Sequence, residues 1–165
     1  MSAAFTALCA ALARAALRAA AFGLVALVLC VQWQVIGRYL LNDTPVWTEP
    51  LALLLVLYIT ALAVAVGVRD AGHLGLESLV GLLPAAGQRA AEALIHLLVA
   101  LFALLMAGSG WEWMQLKWEE PKPILGLPEA LDYLPLLIGG ALMLLFCIEH
   151  LVALWRKAAV EAAGI

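Results

Sequence analysis

Four long apolar stretches, separated by short polar segments, dominate the hydrophobic pattern of this 165-residue chain. The clearest one runs from Leu51 to Val68, contains no charged residue, and has Tyr58 and Thr60 as its only strongly polar side chains. About twenty such residues in an α-helix cross the ~30 Å hydrocarbon core of a bilayer. Because the other stretches repeat this unit, we expect an all-α integral membrane protein with four transmembrane helices.

The polar segments set the expected ends of the helices. The predicted spans are residues 18–41, 47–68, 88–114 and 133–155, all approximate. Between the second and third spans, the segment Leu74–Leu83 is too short to cross a membrane, and we expect a short interfacial helix there. The first apolar stretch is longer than that of a secretion signal, so we expect it to remain uncleaved. Since no polar segment is long enough to bury a core, residues 1–165 should form a single domain.

The first connection carries turn chemistry and a helix start. Asn42-Asp43-Thr44-Pro45 is typical of a turn, and its proline opposes helical continuation. Trp47 is an aromatic suited to the membrane interface, Thr48 is a candidate N-cap, and Glu49 is an acid where the helix dipole favours one. We therefore expect the second helix to begin at these residues.

Composition narrows the function classes. The chain is 66% hydrophobic and 13% charged, which is typical of a membrane protein rather than a soluble domain. Its net charge is −3 with nine basic residues, so the sequence lacks the basic surface that nucleic-acid binding requires. Cys9, Cys30 and Cys147 show no CxxC or Cys/His spacing, so we expect buried free thiols rather than a disulfide or a metal site.

The basic residues also predict an orientation. With four spans, one side of the membrane receives Arg14, Arg18, Arg69, Arg89, Arg156 and Lys157. The opposite side receives Arg38, Lys117 and Lys122 among many acids. By the positive-inside rule, both termini are expected in the cytoplasm.

Two spans carry stripes of small or polar residues at helical spacing. The stripe on the second span is Glu49, Ala52, Val56, Thr60, Ala63 and Gly67. The stripe on the third is Arg89, Glu92, His96, Ala100, Ala103, Ala107 and Gly110. Such stripes suit either helix packing within the chain or contact with another membrane protein, and both readings remain open. At Arg89, Glu92 and His96, near the start of the third span, we expect local charge pairing rather than a proton relay.

Enzyme motifs are missing from the sequence. No Gly-rich phosphate loop, HExxH or GxSxG motif occurs, so we expect no catalytic or metal-binding residue. His96 and His150 would lie at similar depth in the third and fourth spans. They offer one alternative, a membrane-anchor redox subunit whose two histidines ligate a haem.

Three segments of the sequence have a recognisable pattern: Gly37–Asn42 with Trp47–Glu49, then Val68–Leu76, and then Leu125–Pro128 with Tyr133, Pro135 and Gly139-Gly140. Together they resemble the small membrane subunit of the TRAP (tripartite ATP-independent periplasmic) transporters. The segments fall in the family's order and in the expected relation to the four spans.

The resemblance implies a sodium-driven uptake system for organic acids in the cytoplasmic membrane of a bacterium or archaeon. It implies two protein partners, a large membrane subunit that holds the sodium and substrate sites and a periplasmic substrate-binding protein. This chain would then be a scaffold in the lipid bilayer, without a cofactor or substrate site of its own. The candidate partner-interface residues are Arg38, Trp47, Glu49, Arg69 and His73. Arg38 and Glu49 are expected either to pair with each other or to contact a partner, and Arg69 and His73 to meet lipid headgroups or neighbouring helix ends.

Overall fold

The computed structural model describes residues 3–70 and 84–156, which form four long helices and one short 3₁₀ helix. The helices are α1 (Ala3–Tyr39), α2 (Thr48–Asp70), α3 (Ala85–Leu116) and α4 (Leu134–Arg156), with the 3₁₀ helix at Glu129–Asp132. Each long helix is apolar and long enough to cross a membrane, so the predicted all-α membrane fold is confirmed. The predicted interfacial helix at Leu74–Leu83 and the candidate residue His73 lie outside the described residues.

The first helix is longer than its predicted span. It begins at Ala3 rather than near Arg18, so Arg14 and Arg18 lie within α1 instead of at its entry. The alanine-rich segment before Arg18 has high helix propensity and contains no proline or glycine, so nothing in it ends the helix.

The connection between α1 and α2 is a tight turn, as predicted. Asn42 adopts a positive φ of 51°, and the backbone N–H of Asp43 donates to the carbonyl of Gly37 at 3.0 Å. A Cβ atom at Gly37 would lie 2.7 Å from the carbonyl oxygen of Asp43, so the turn requires glycine there. Thr48 does not cap α2 as predicted, since its hydroxyl donates to the Pro45 carbonyl at 2.7 Å and stabilises the preceding turn.

The helices pack in the spatial order α1, α2, α4, α3. In the described part of the chain, no Cα atom of α3 comes within 8 Å of α1 or α2, and α3 packs against α4. Only α4 contacts all three other long helices in the described part of the chain, and 39% of its apolar span is buried, against 11% of each of the other three. The fold is thus an open row with α4 as its central member, and it leaves broad apolar faces uncovered.

Small residues bring α3 and α4 close together. A Cβ atom at Gly140 would lie 2.7 Å from the Ala103 carbonyl oxygen, and one at Gly110 would lie 2.8 Å from the Leu137 nitrogen. Membrane helices gain dispersion contacts from such close approach. The small-residue stripe predicted on the third span is therefore used for packing within the chain.

The stripe on α2 faces elsewhere. Val56, Thr60 and Ala63 are exposed, and a Cβ atom at Gly67 would meet nothing within 4 Å. The side of α2 that contacts α4 instead carries Ala61, whose Cβ would lie 3.0 Å from a Cβ at Gly139. The α2 stripe therefore points away from the described helices.

The polar connection between α3 and α4 is held by hydrogen bonds and an ion pair. The Lys122 N–H donates to the Leu127 carbonyl at 2.8 Å, and the Lys122 ammonium lies 2.5 Å from the Asp132 carboxylate. From α2, the Tyr58 hydroxyl donates to the Leu131 carbonyl at 3.1 Å. These bonds fix the connection against the ends of the helices.

Candidate functional site

A buried ion pair joins α2 to α4. The Arg69 Nε lies 2.9 Å from Glu149 Oε2, and its Nη2 lies 3.3 Å from Oε1. Arg69 is 3% exposed and Glu149 is fully buried. Two parallel N–H···O contacts of this kind are strong and directional, and a charge left alone at such a place would be costly.

Arg69 makes two further contacts with residues of the same chain. A second Arg69 nitrogen lies 3.3 Å from the exposed neighbour Asp70, and the guanidinium lies 5.9 Å from the centre of the Phe146 ring. Arg69 is in the last turn of α2, where the helix dipole favours a cation. Its side chain is therefore buried between the end of α2 and the last turns of α4.

Two histidines extend this connection to α3. The imidazoles of His96 and His150 stack with 4.5 Å between ring centroids and 12° between planes. The Nε2 of His150 lies 2.9 Å from the Arg69 carbonyl oxygen, and because that oxygen accepts, Nε2 carries the hydrogen. This geometry does not fit the haem alternative, because stacked rings leave no room between them for a metal with two axial imidazoles.

All four helices meet at this place. Cys9 of α1 is fully buried and lies close enough to Glu149 to interact with it electrostatically. We call the set Cys9, Arg69, His96, Glu149 and His150 the polar cluster. Sequence reasoning singled out three of its members but missed the role of Glu149. The available signal was a lone acid within the fourth apolar stretch.

The candidate residues near the α1–α2 turn have a different environment. Arg38 and Glu49 are exposed, and Trp47 is 42% exposed. Among the described residues, Arg38 and Glu49 do not pair, so the first of the two expected arrangements is not found. All three side chains are accessible to a partner.

At the start of α3, Arg89 and Glu92 do not pair with each other in the described structure. Arg89 is exposed and Glu92 is half-buried. Arg89 instead lines a cleft beside α4.

The connection between α3 and α4 holds an exposed ion pair. The Lys117 ammonium donates to the Glu120 carboxylate and lies 3.5 Å from that of Glu129. The hydrogen bond between Lys117 and Glu120 raises the pKa of the lysine and lowers the pKa of the glutamate.

The described residues show little that resembles a reaction centre. Within residues 3–70 and 84–156, no group of three or more His, Cys, Asp or Glu side chains could hold a metal ion. The three cysteines are free and buried. Within the polar cluster, Arg69, Glu149 and His150 make their contacts with one another inside the chain, which suits a structural role.

Comparison with known proteins agrees with the predicted resemblance. Residues 27–157 match the model of the family described as tripartite ATP-independent periplasmic transporters, DctQ component. The chain is also 26% identical over 119 residues to a protein of Haemophilus influenzae named as a TRAP transporter small permease protein. That match covers 72% of this chain and 74% of the relative. With its four membrane-spanning helices, the chain belongs to the DctQ family, the small permeases of TRAP transporters, and is a multi-pass membrane protein.

Proposed function

We propose that this chain is the small permease subunit of a sodium-driven TRAP transporter for organic acids, and that it acts as a membrane scaffold. In this proposal a large membrane subunit carries the sodium and substrate sites, and a periplasmic binding protein delivers the substrate. The chain itself performs no chemistry. Family membership supports the transport role, and the architecture supports the scaffold role.

The observation that carries the scaffold role is the open row of helices. A closed four-helix bundle would cover its own apolar surface, whereas 11% of each of three spans is buried here. Exposed small side chains at Val56, Thr60 and Ala63 would let a partner helix approach α2 closely. The corresponding stripe on α3 is already occupied by α4, so α2 offers the better contact.

The exposed residues near the α1–α2 turn extend this surface. Arg38, Trp47 and Glu49 lie at the ends of the two helices and present a cation, an aromatic ring and an anion. We propose that they contact the large subunit or the periplasmic binding protein. His73 keeps the same proposed role on the opposite side of the membrane.

The proposed location is the cytoplasmic membrane, with both termini in the cytoplasm. Arg14, Arg18, Arg69 and Arg89 fall on one side of the row, and Arg38 falls on the other with Lys117 and Lys122. This distribution supports the orientation through the positive-inside rule.

The test is co-purification with the large subunit, followed by reconstituted uptake. Ala63→Trp places a large ring on the α2 stripe, and Leu101→Trp places one on the exposed side of α3, where Leu101 is 52% exposed. We expect the α2 variant to reduce recovery of the large subunit and sodium-dependent uptake together, and the α3 variant to leave both unchanged. Uptake by this chain alone in vesicles, or equal recovery with both variants, would contradict the scaffold role.

A further inference from the structure

A cleft opens between the beginning of α3 and the end of α4. Its volume is about 380 Å³, and its described lining is Arg89, Ala93, Leu151, Leu154 and Trp155. This volume lies within the ~300–1,000 Å³ range of small-molecule sites in proteins. Because both helices span the membrane and end here, the cleft lies at the boundary between hydrocarbon and water.

One end of the cleft is cationic. Arg89 is exposed and has no ion-pair partner among the described residues. The first turn of α3 contains no acid, and its N-cap Pro84 makes no side-chain hydrogen bond, so the positive end of the helix dipole adds to the charge. An anion is therefore favoured at this end.

The remaining walls are apolar. Ala93, Leu151 and Leu154 offer no charge, and Trp155 is 92% exposed at the end of α4. A tryptophan in this position is typical of the membrane interface, where its ring lies among headgroups and its apolar body meets acyl chains. A ligand that fills the cleft must therefore carry both an anionic group and a hydrocarbon part.

We propose that this cleft binds an anionic phospholipid, with the phosphate on Arg89 and one acyl chain along Leu151 and Leu154. Arginine can meet a phosphate through two parallel N–H···O bonds while its aliphatic stem lies along apolar surface. Basic clefts between membrane helices at the cytoplasmic side are suited to such headgroups. The site does not depend on the transport role, since it uses only residues of this chain and the bilayer.

Brominated lipids test the site directly, because bromine on an acyl chain quenches a tryptophan that it contacts. The purified full chain is placed in phosphatidylcholine vesicles that contain brominated phosphatidylglycerol or, separately, brominated phosphatidylcholine. The Trp155 signal is the difference between the native protein and Trp155→Phe, which removes that one ring from the six tryptophans. We expect half-quenching at a roughly tenfold lower fraction of the anionic lipid, as charge-assisted hydrogen bonds to phosphate would give.

Two variants test whether Arg89 is the residue that binds the anionic headgroup. Arg89→Gln should bring the two lipids to within about twofold of each other, as loss of a charge-assisted bond predicts, while its helical circular dichroism stays unchanged because Arg89 is exposed. Arg38→Gln removes an exposed arginine at the far end of α1 and should keep the native preference. Equal quenching by both lipids in the native protein, or an undiminished preference in Arg89→Gln, would overturn the proposal.

A further arm separates a lipid headgroup from free phosphate. Excess inorganic phosphate is added at constant ionic strength. If the lipid preference persists, the apolar walls contribute and the ligand is a phospholipid. If free phosphate abolishes the preference, the site is one for a soluble anion and the lipid proposal fails.

Discussion

The guanidinium of Arg69 and the carboxylate of Glu149 form a two-point ion pair, although 80 residues of chain separate them. The pair fixes the end of α2 against α4 and lies where the four helices converge. Its burial makes each partner dependent on the other, because neither charge can reach water.

Replacing one residue of the pair should therefore destabilise the folded protein far more than replacing both. We expect Glu149→Gln to lower the free energy of unfolding in detergent by roughly 3–5 kcal/mol, since the buried Arg69 guanidinium would keep only its single contact with the more exposed Asp70 carboxylate. The double variant Arg69→Met with Glu149→Met should recover most of that loss. Chemical unfolding followed by circular dichroism measures all three proteins.

The matched control for that cycle is the more accessible pair Lys122 and Asp132 in the α3–α4 connection. Lys122→Gln should have a much smaller effect, because its partner is partly exposed to water. If Glu149→Gln is no more damaging than Lys122→Gln, the buried pair does not stabilise the row.

The contact of His150 with Arg69 can be separated from its stacking on His96. His150→Phe keeps an aromatic ring but removes the hydrogen donated to the Arg69 carbonyl. We expect a loss of about 1–3 kcal/mol, the usual range for a buried acceptor left without its donor. His150→Ala should cost more, because it also removes the ring. Equal stability of the phenylalanine variant and the native protein would show that the hydrogen bond contributes nothing.

Two glycines give opposite expectations for the same substitution. Gly140→Ala places a methyl group 2.7 Å from the Ala103 carbonyl and should force α3 away from α4, with a clear loss of thermal stability. Gly108→Ala meets nothing within 4 Å and should be neutral or stabilising by about 1 kcal/mol, since alanine favours the helix. Thermal unfolding of the two variants in one detergent decides the point. A tolerated Gly140→Ala would contradict the close approach.

The α3–α4 connection should respond to pH at both extremes. The pKa of Glu120 is lowered in the folded protein, so its contribution is present above its ordinary value of 4.5 and is lost as acid protonates it. The pKa of Lys117 is raised, so its contribution is present below 10.5 and is lost as alkali deprotonates it. Hydrogen exchange of the connection, compared at matched intrinsic rates, should be slowest between these limits. Glu120→Gln should abolish the acid limb, and an unchanged profile would refute the assignment.

The hydrophobic pattern was sufficient for the four spans but not for the contacts between them. The length of an uninterrupted apolar stretch is a local property of the sequence, so α2 and α4 could be located from their own residues alone. The pairing of Arg69 with Glu149 depends on which helices are neighbours, and nothing local specifies that. Arg38 and Glu49 failed to pair for the same reason, since the turn at Asn42 sets the relative direction of their helices.

Helix ends were predicted less well where composition is uniform. The alanine-rich start of α1 lacks the bulky apolar residues that mark a span, so its helix was predicted to begin near Arg18 instead of Ala3. The start of α2 was predicted closely because proline and an acid mark it. Helix ends were therefore predicted accurately only where residues with strong local preferences, such as proline or an acid, mark them.

In the described part of the chain α3 packs on α4 and on neither earlier helix, so the order of synthesis matters. While the ribosome is still making α4, α1 and α2 can already join as a hairpin, but α3 has no other described helix to pack against. The exposed leucines and Phe102 of α3 are apolar, so this helix is stable in lipid before α4 is inserted. Of the four helices, α4 is made after the others, and its packing joins α3 to the pair formed by α1 and α2.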